Sequence, residues 1–559
     1  MTGRPPSDFR GVYRDDEDAR AVYSEAAGIG QIIPAGVAIP VDADDVVTLV
    51  RWAASEGVAL IPRGSGSSMA GGAIGNGLIV DLGRLVWIDQ PDTATNTIRC
   101  GPGALRDSID SAARSVARIF PVDPSSGAYC TVGGMASTNS AGAHSLRYGA
   151  MRSWIEALDC VFADGSRGEL RRGAPPPDVE PLRRFLAIAD QLREAERATP
   201  STHPGVRKDS SGYGIAAYAQ SGDLTDILAG SEGTLAIVVG LELRLAPLLP
   251  CTASILGAFD TLDAAVLAAT DAREAGASAC ELIDRTFLDV ARGGGYPVPV
   301  PETAESVLLV EVDGESPESC AGSIEVIAAR FRAAGATTVT LALDDATQHA
   351  VWELRHAASP ILSRLDPSLK SMQFIEDGCV PPERLGDYVR GVRAALAAHD
   401  TRGVIFGHAG DAHVHVNPLV DVRRPDWRER VDGLLRDVTA LVAELGGTVT
   451  GEHGDGRLRA PLLSQVWPAG SLERFAAVKN AFDPAGLLNP GAKLMTNGDK
   501  AEGNVKYDPA LPPLPFNART ALATVERNRA YARSRLDLLA ESAAAQSSAP
   551  EPRPAVDLD

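Results

Sequence analysis

Two histidine-rich glycine segments late in the chain set the tightest constraint on how it folds. The first reads GHAGDAHVHVNP, Gly407 to Pro418; the second reads GEHGDG, Gly451 to Gly456. Four of the nine histidines, His408, His413, His415 and His453, fall in this stretch, with Glu452 beside the last. Histidine and carboxylate are what a catalytic divalent ion requires, and histidine is also the commonest proton carrier. A successful fold must bring these side chains to one place. Within a strand, i and i+2 share a face, so spacing alone pairs His413 with His415.

A second pattern runs ahead of the histidines. PRGSGSSMAGGAIGNG, Pro62 to Gly77, follows an expected strand at Ala59–Pro62. Such a loop exposes backbone N–H groups that can cradle an anion. It is no Rossmann fingerprint, because Met69 stands where the third glycine belongs, and no P-loop, because no GK[ST] closes it. Alone, it suits an anion cradle or a plain glycine turn equally. Further small-residue loops follow: PVDPSSGAYCTVGGMASTNSAGAHSLRYG, with Gly133–Gly134 opening a short helix, then RKDSSGYG and LAGSEGTLAIVV. Several separated loops of this kind suit a long, extended cofactor that the backbone must approach closely.

At 559 residues the chain holds two or three domains. Its charge of −20 repels phosphate backbones and argues against nucleic acid as a partner and against simple docking on anionic lipid. The polar N-terminus lacks the apolar core of a signal peptide, and no run of about 18 apolar residues suggests a membrane span. The expectation is a cytoplasmic protein, with a peripheral place on the inner membrane face left open. Cys100, Cys130, Cys160, Cys251, Cys280, Cys320 and Cys379 form no CxxC pair and read as buried free thiols.

Along the chain, residues 1–32 read as an arm. Val37–Val41 reads as a strand, and Asp42 or Asp44 caps a helix whose apolar face is Val46, Val47, Leu49, Val50 and Ala53. Strands are expected at Leu78–Leu82, Leu235–Val239 and Glu242–Leu245. A second region alternates helix Ala264–Glu274, strand Val307–Val312, helix Asp345–Arg364, strands Gln373–Ile375 and Val404–Phe406, and helix Trp427–Leu445. Residues 496–559 add a proline-rich piece, one arginine-bearing helix near Ala518–Ala545 and a disordered tail.

The glycine loops resemble the FAD domain of the vanillyl-alcohol oxidase and p-cresol methylhydroxylase (PCMH) type. GHAGDAHVHVNP, GEHGDG and FDPAGLLNPGAK resemble the FAD-linked oxidase C-terminal domain. Together they are similar to the branch holding D-lactate, glycolate and D-2-hydroxyglutarate dehydrogenases. The resemblance implies an α+β fold: a two-subdomain PCMH-type FAD domain over 33–247, an α/β cap over 248–495 and a helical extension over 496–559. It implies that Arg63, Gly64, Ser65, Gly66, Ser67 and Ser68 wrap the FAD pyrophosphate. Pro124, Ser125, Gly133, Gly134, Ser137, Asn139 and Gly142 would line the flavin or its phosphates. Glu232, Gly233 and Ile237 would support the adenosine or ribityl part, and Asn489 would approach the ring. Where covalently flavinylated relatives carry a histidine, this chain has Ser67 and Ser68, so the FAD is expected to be non-covalent.

The same resemblance makes His408, His415 and Glu452 the ligands of a divalent ion (Zn, Mn or Fe) and His453 the base. His413 departs from the usual pattern and is left as a bystander, a supporting group or an alternative ligand. Arg355 and Lys370 would grip a substrate carboxylate, Asn417 would orient substrate or ligands, and Ser359 stands near the substrate position. The implied activity is oxidation of a D-2-hydroxyacid, D-2-hydroxyglutarate or D-lactate, to the 2-oxoacid, with hydride passing from C2 to flavin N5. Electrons would leave to a quinone, a cytochrome, an electron-transfer flavoprotein or a separate iron–sulfur protein, which the basic helix at 518–545 either recruits or ignores. Two alternatives stand beside this reading: a non-redox flavoenzyme of the alkylglycerone-phosphate synthase type, and a non-catalytic flavoprotein subunit of a glycolate-oxidase-like complex. Monomer and homodimer both stay open.

Overall fold

The computed structural model describes residues 4–295, 298–356, 368–496, 500, 503 and 505–547. Near the N-terminus the expected strand–helix–strand alternation forms. Asp42 accepts hydrogen bonds from the N–H groups of Asp44 and Asp45 and caps the helix Ala43–Glu56, whose Val46, Leu49, Val50 and Ala53 are buried. Gly57, left-handed at φ +67°, ends it. Strands Gly36–Ile39, Leu78–Asp81 and Leu60–Arg63 pair in parallel, and Val12–Arg14 from the arm adds an antiparallel edge. The arm is therefore part of the first sheet, and the glycine loop leaves the end of the strand Leu60–Arg63.

A second, antiparallel sheet orders Thr97–Cys100, Ala236–Arg244, Ile155–Phe162 and Arg167–Arg171. The two strands expected on either side of Gly240 are one nine-residue strand, Ala236–Arg244. Gly240 marks a register shift beside Asp159 and Cys160 instead of a turn, the other local use of a strand glycine.

The second domain is built on an eight-stranded sheet in which every observed pairing is antiparallel. Its central neighbours are Ser306–Gly314, Ala279–Asp284, Arg402–His408 and His413–Asp421. Period-two alternation gives the sheet two characters. Cys280, Leu282, Leu308, Val310, Val414 and Val416 face the main core, which takes in residues of the helices Leu262–Glu274, Pro317–Ala333, Leu385–Ala398 and Trp427–Glu444. The opposite face carries Glu281, Phe406, His408, His415 and Asn417, and is polar where it meets the first domain.

Three expectations change here. Gln373–Ile375 is not a strand: the chain leaves the sheet after Leu369–Ser371 and rejoins it at Gly378–Cys379, which places Glu376 and Asp377 beneath the histidines. The helix expected at Asp345–Arg364 is seen over Asp345–His356; its remainder, with Ser359, lies outside the described residues. The helix expected over Ala518–Ala545 is two helices, Phe516–Asn528 and Arg535–Ser547, broken by Arg529 in the left-handed conformation and a short turn at Ala530–Ala532. Their Ala518, Ala521, Val525, Leu538 and Leu539 share a core with Val22, Tyr23, Val37, Ile39, Ile61 and Ile79. No described helix is long and apolar enough to cross a membrane.

Candidate active site

A cavity of about 1390 Å³ runs between the domains from the glycine loop to the histidine cluster. That is larger than the usual small-molecule pocket of roughly 300–1,000 Å³ and has room for a dinucleotide with a small substrate. At its metal-like end, three ligand atoms form a triangle. His408 Nε2 lies 3.3 Å from Glu452 Oε1 and 3.4 Å from His415 Nε2, and His415 Nε2 lies 3.4 Å from Glu452 Oε1. Bonds of about 2.0–2.2 Å to a tetrahedral ion place neighbouring ligand atoms roughly 3.3–3.6 Å apart, so the triangle fits a divalent ion.

Each ligand is aimed by a partner behind it. The strand Ala279–Asp284 sets Glu281 against His408, with Glu281 Oε1 2.5 Å from His408 Nδ1. The backbone carbonyl of Glu376 takes His415 Nδ1 at 2.9 Å. Both rings thus present Nε2 to the centre, the outer hydrogen bond that orients a ligand histidine. Glu452 is held by the ammonium of Lys208, whose Nζ donates to Oε2 at 2.9 Å and to the Gly142 carbonyl at 3.2 Å. Burial opposes charge on both groups, but their mutual attraction prevails: Lys208 sits above its ordinary value and Glu452 well below the usual carboxylate range. Asp377 fixes the loop itself, accepting from the backbone N–H of Glu452 and, at 3.0 Å, of His453.

His413 points the same way along its strand as His415, yet the two differ. Its Nε2 is 2.8 Å from Asp377 Oδ1, its Nδ1 has no hydrogen-bond partner, and it is fully buried. It offers a ring nitrogen within 4.8 Å of the other three ligand atoms, but does not line the cavity. Burial pushes it down to about 4, so it is neutral at ordinary pH.

His453 stands at the rim of the triangle, its Nε2 3.7 Å from Glu452 Oε1 and its ring stacked 5.3 Å from that of His415. Its Nδ1 faces Glu376 Oε2 at 2.8 Å. Burial disfavours the imidazolium, but Asp377 and Glu376 outweigh it and push the group up to about 10. Arg459, itself buried, braces Glu376 from the other side. Arg355 and Lys370 line the same cavity, as does Asn417. Arg355 Nε donates to Glu281 Oε2 at 2.7 Å while its guanidinium lies 4.7 Å from the Phe406 ring centre. Glu281 therefore bridges Arg355 and His408. The Lys370 ammonium lies 5.6 Å from the ring centre of Tyr507.

Of the residues expected around the cofactor, Arg63, Gly64, Ser65, Gly66, Ser67, Ser68, Pro124, Ser125, Gly133, Gly134, Ser137, Gly142, Glu232, Gly233 and Ile237 line the cavity. The loop suits a bound anion. Among the described residues the backbone N–H groups of Ser65, Gly66, Ser67 and Ser68 meet no protein acceptor, and the buried Ser68 hydroxyl has no partner. Two asparagines fall elsewhere. Asn139 is a left-handed helix cap whose Oδ1 accepts from the Arg152 N–H, and Asn489 donates to the carbonyls of Gly72 and Glu232. Neither reaches the cavity wall, because each amide is taken up in loop-to-loop bracing. Arg63, unlike these two, borders the cavity, but its guanidinium is turned behind the loop and donates to the carbonyls of Tyr23, Glu25 and Ala73. The Glu232 carboxylate accepts from the N–H groups of Asp455 and Gly456 and pairs with Lys493 at 3.1 Å, tying the cofactor loop to the histidine loop.

Sequence reading missed Glu281, Lys208, Glu376, Asp377 and Arg459. Only the adjacent acids in FIEDGC carried a local sign, two charges inside an apolar run. It also missed His144, which lines the cavity between Asp123 (2.6 Å) and Glu311 (2.8 Å).

A cradle of free N–H donors joined to a histidine–carboxylate cluster suits an anionic cofactor held beside a reacting centre, and comparison with known proteins gives the family. Residues 34–171 match an FAD binding domain and residues 251–492 match the C-terminal domain of FAD linked oxidases. The glycolate oxidase subunit GlcD of Bacillus subtilis is 30% identical over 85% of this chain and 93% of its own length. The D-lactate dehydrogenase of Archaeoglobus fulgidus is 26% identical, covering 87% of this chain and 96% of its own. The D-2-hydroxyglutarate dehydrogenase of Escherichia coli is 27% identical over 84% of this chain but only 49% of its own, so this chain spans about half of that relative. Among solved structures, 4-ethylphenol oxidase from Gulosibacter chungangensis shares the fold at a TM-score of 0.65 and 16% identity, covering 86% of this chain and 94% of its own. The chain belongs to the FAD-linked oxidases and is an FAD-dependent enzyme.

Proposed function

We propose that the protein oxidises a D-2-hydroxyacid to the 2-oxoacid, with non-covalent FAD in the inter-domain cavity and a divalent ion on His408, His415 and Glu452. The observation that carries this reading is the 3.3–3.4 Å triangle of ligand atoms with His453 at its rim, opening into the cavity that the glycine loops line. Bound FAD supplies a two-electron acceptor for the hydride from C2, and the ion supplies acidity at the substrate hydroxyl.

The chain's own groups do the rest. Arg355, steadied by Glu281, faces the cavity with the planar donor edge that matches a carboxylate, and Lys370 adds a second cation. Asn417, on the same strand face as His415, donates to or accepts from the substrate. His453 is placed to take the hydroxyl proton and must be neutral to do so; Glu376 and Asp377 favour the imidazolium, and the charge of an ion on the adjacent Glu452 would oppose them and free the ring to act as base. Reoxidation falls to a quinone, a cytochrome, an electron-transfer flavoprotein or a separate iron–sulfur protein. The similarity to GlcD and to the D-lactate and D-2-hydroxyglutarate dehydrogenases supports the substrate class.

The test is anaerobic addition of D- and L-lactate, glycolate and D-2-hydroxyglutarate to the purified yellow protein. Bleaching of the oxidised-flavin band by a D-acid and not its L-isomer is expected. A yellow protein that no hydroxyacid bleaches would favour a non-redox or non-catalytic role.

A further inference from the structure

The matched family domains end at residue 492, yet the wall of the cofactor cavity does not. Beyond that point the helices Phe516–Asn528 and Arg535–Ser547 fold back over the N-terminal sheet, and Arg527, Asn528, Arg529 and Tyr531 line the cavity together with Ser65–Ser68 and Tyr129. We propose that this C-terminal extension is part of the cofactor site, its arginines supplying positive charge to the pyrophosphate of the bound dinucleotide. The inference rests on the FAD reading above and assigns residues that the family domains do not include.

Three observations converge on it. Arg535, 3% exposed, donates to the carbonyl of Ser65 at 3.1 Å, so a cation stands directly against the cavity-lining loop whose N–H groups meet no protein acceptor. Its Nε has no hydrogen-bond partner, an orphaned donor in a buried guanidinium. Arg63 is buried beside it and bonded only to carbonyls. The carboxylates near this pair are Asp81, which takes the Tyr23 hydroxyl at 2.5 Å, and Glu25, which faces Lys506 at 4.0 Å. Burial and the neighbouring Arg63 push Arg535 down to about 10, the mark of positive charge lacking a full counter-charge. An anion on the open side of the loop provides that counter-charge.

Arg529 gives the second observation. It caps its helix at φ 50°, a left-handed conformation in which glycine or asparagine is the ordinary choice. An arginine held there ends one helix and turns the next back towards Ser65, leaving its own side chain on the cavity rim. The third is charge. Arg527 and Arg529 share the rim with Glu526, whose carboxylate accepts from the Tyr507 hydroxyl at 3.3 Å, so this stretch of the rim carries two guanidiniums and one carboxylate. Two such cations suit the doubly charged pyrophosphate of a dinucleotide.

The experiment compares wild type with the double variant R527A/R529A. Both side chains are exposed, so the helix and its packing survive. Holoenzyme is diluted and FAD release is followed by recovery of flavin fluorescence; affinity of the apoprotein is then measured for FAD and for riboflavin, which has no phosphate. At least about tenfold faster FAD release is expected, with riboflavin affinity unchanged. Raising salt should speed release from wild type more than from the variant. Release within twofold of wild type would overturn the proposal. So would normal release with a raised KM for an anionic electron acceptor, which would make the rim an acceptor-docking surface. A wild-type protein that takes up no FAD would instead bring down the functional reading itself.

Discussion

Lys208 offers the sharpest test of how the cluster is held. Its ammonium sits 2.9 Å from Glu452 Oε2, 3.2 Å from the Gly142 carbonyl and 4.0 Å from Asp411 Oδ2, all of it buried. Removing one partner of a buried ion pair costs about 3–5 kcal/mol, because the other charge is left without compensation. Here Asp411 keeps Arg207 at 3.1 Å and the Ser145 hydroxyl at 2.7 Å, and Glu452 Oε1 keeps His408, so the lower end applies. Lys208→Met in chelator-treated protein should therefore lose about 3 kcal/mol. At about 2–4 °C per kcal/mol for a domain of this size, Tm should fall by roughly 6–12 °C. A divalent ion added back neutralises the same carboxylate, so it should recover at least half of that deficit and raise Tm more in the variant than in wild type. Thermal unfolding with and without Zn or Mn decides the matter. If Lys208→Met melts within about 1 °C of wild type when chelated, or if the ion raises both proteins equally, Lys208 is not the stand-in for a metal's charge on Glu452.

Arg355→Ala should lower kcat/KM for a D-hydroxyacid at least tenfold, about 1.4 kcal/mol of transition-state binding, in steady-state kinetics; an unchanged value rejects its role at the carboxylate. Acid or heat denaturation should release all flavin into the supernatant, since Ser67 and Ser68 offer no histidine for a covalent link; colour remaining on the precipitate contradicts this. His144 gives a pH signature. Burial opposes its protonation, but Asp123 and Glu311 hold it well above its ordinary value in the folded protein. A raised folded value means that its stabilisation is complete below the unfolded value of about 6.5 and fades as pH rises through the folded one. The Tm gap between wild type and His144→Gln should thus be widest below about pH 6.5 and narrow in alkali; a gap that widens with pH refutes the assignment.

A histidine–carboxylate cluster was legible because its members sit in two short segments whose residue types name a chemistry, but spacing alone paired His413 with His415, and the set His408, His415 and Glu452 came from the resemblance. What orients the triangle was not legible. Glu281 is a single acid in an apolar strand, Lys208 a single base in a glycine-rich loop, and each acquires meaning only when a strand or loop far away in sequence is laid against it. Strongly periodic helices such as Leu262–Glu274 and Trp427–Glu444 were read to within a residue or two at each end. Breaks without a local marker were not: Arg529 interrupts a helical pattern with neither glycine nor proline, and Gly240, which looks like a stop, lies inside a continuous strand. Asn489 shows the opposite limit, a residue in a telling motif whose amide is used between loops, away from the cavity.

Glu232 has a consequence for how such enzymes can be recombined. Its carboxylate reaches from the loop ahead of the strand Ala236–Arg244 to the backbone of Asp455 and Gly456, two and three residues beyond His453, with Lys493 completing the contact. The turn that carries half of the reacting groups is thus held from two sides, by Asp377 behind Glu452 and His453 and by Glu232 at Asp455 and Gly456. A chimera that exchanged the C-terminal domain alone would inherit the right histidines on a turn held from one side only. Exchanges that move Glu232 together with Gly451–Gly456 and Lys493 should keep the turn, which makes this contact, rather than the domain boundary, the natural unit of inheritance.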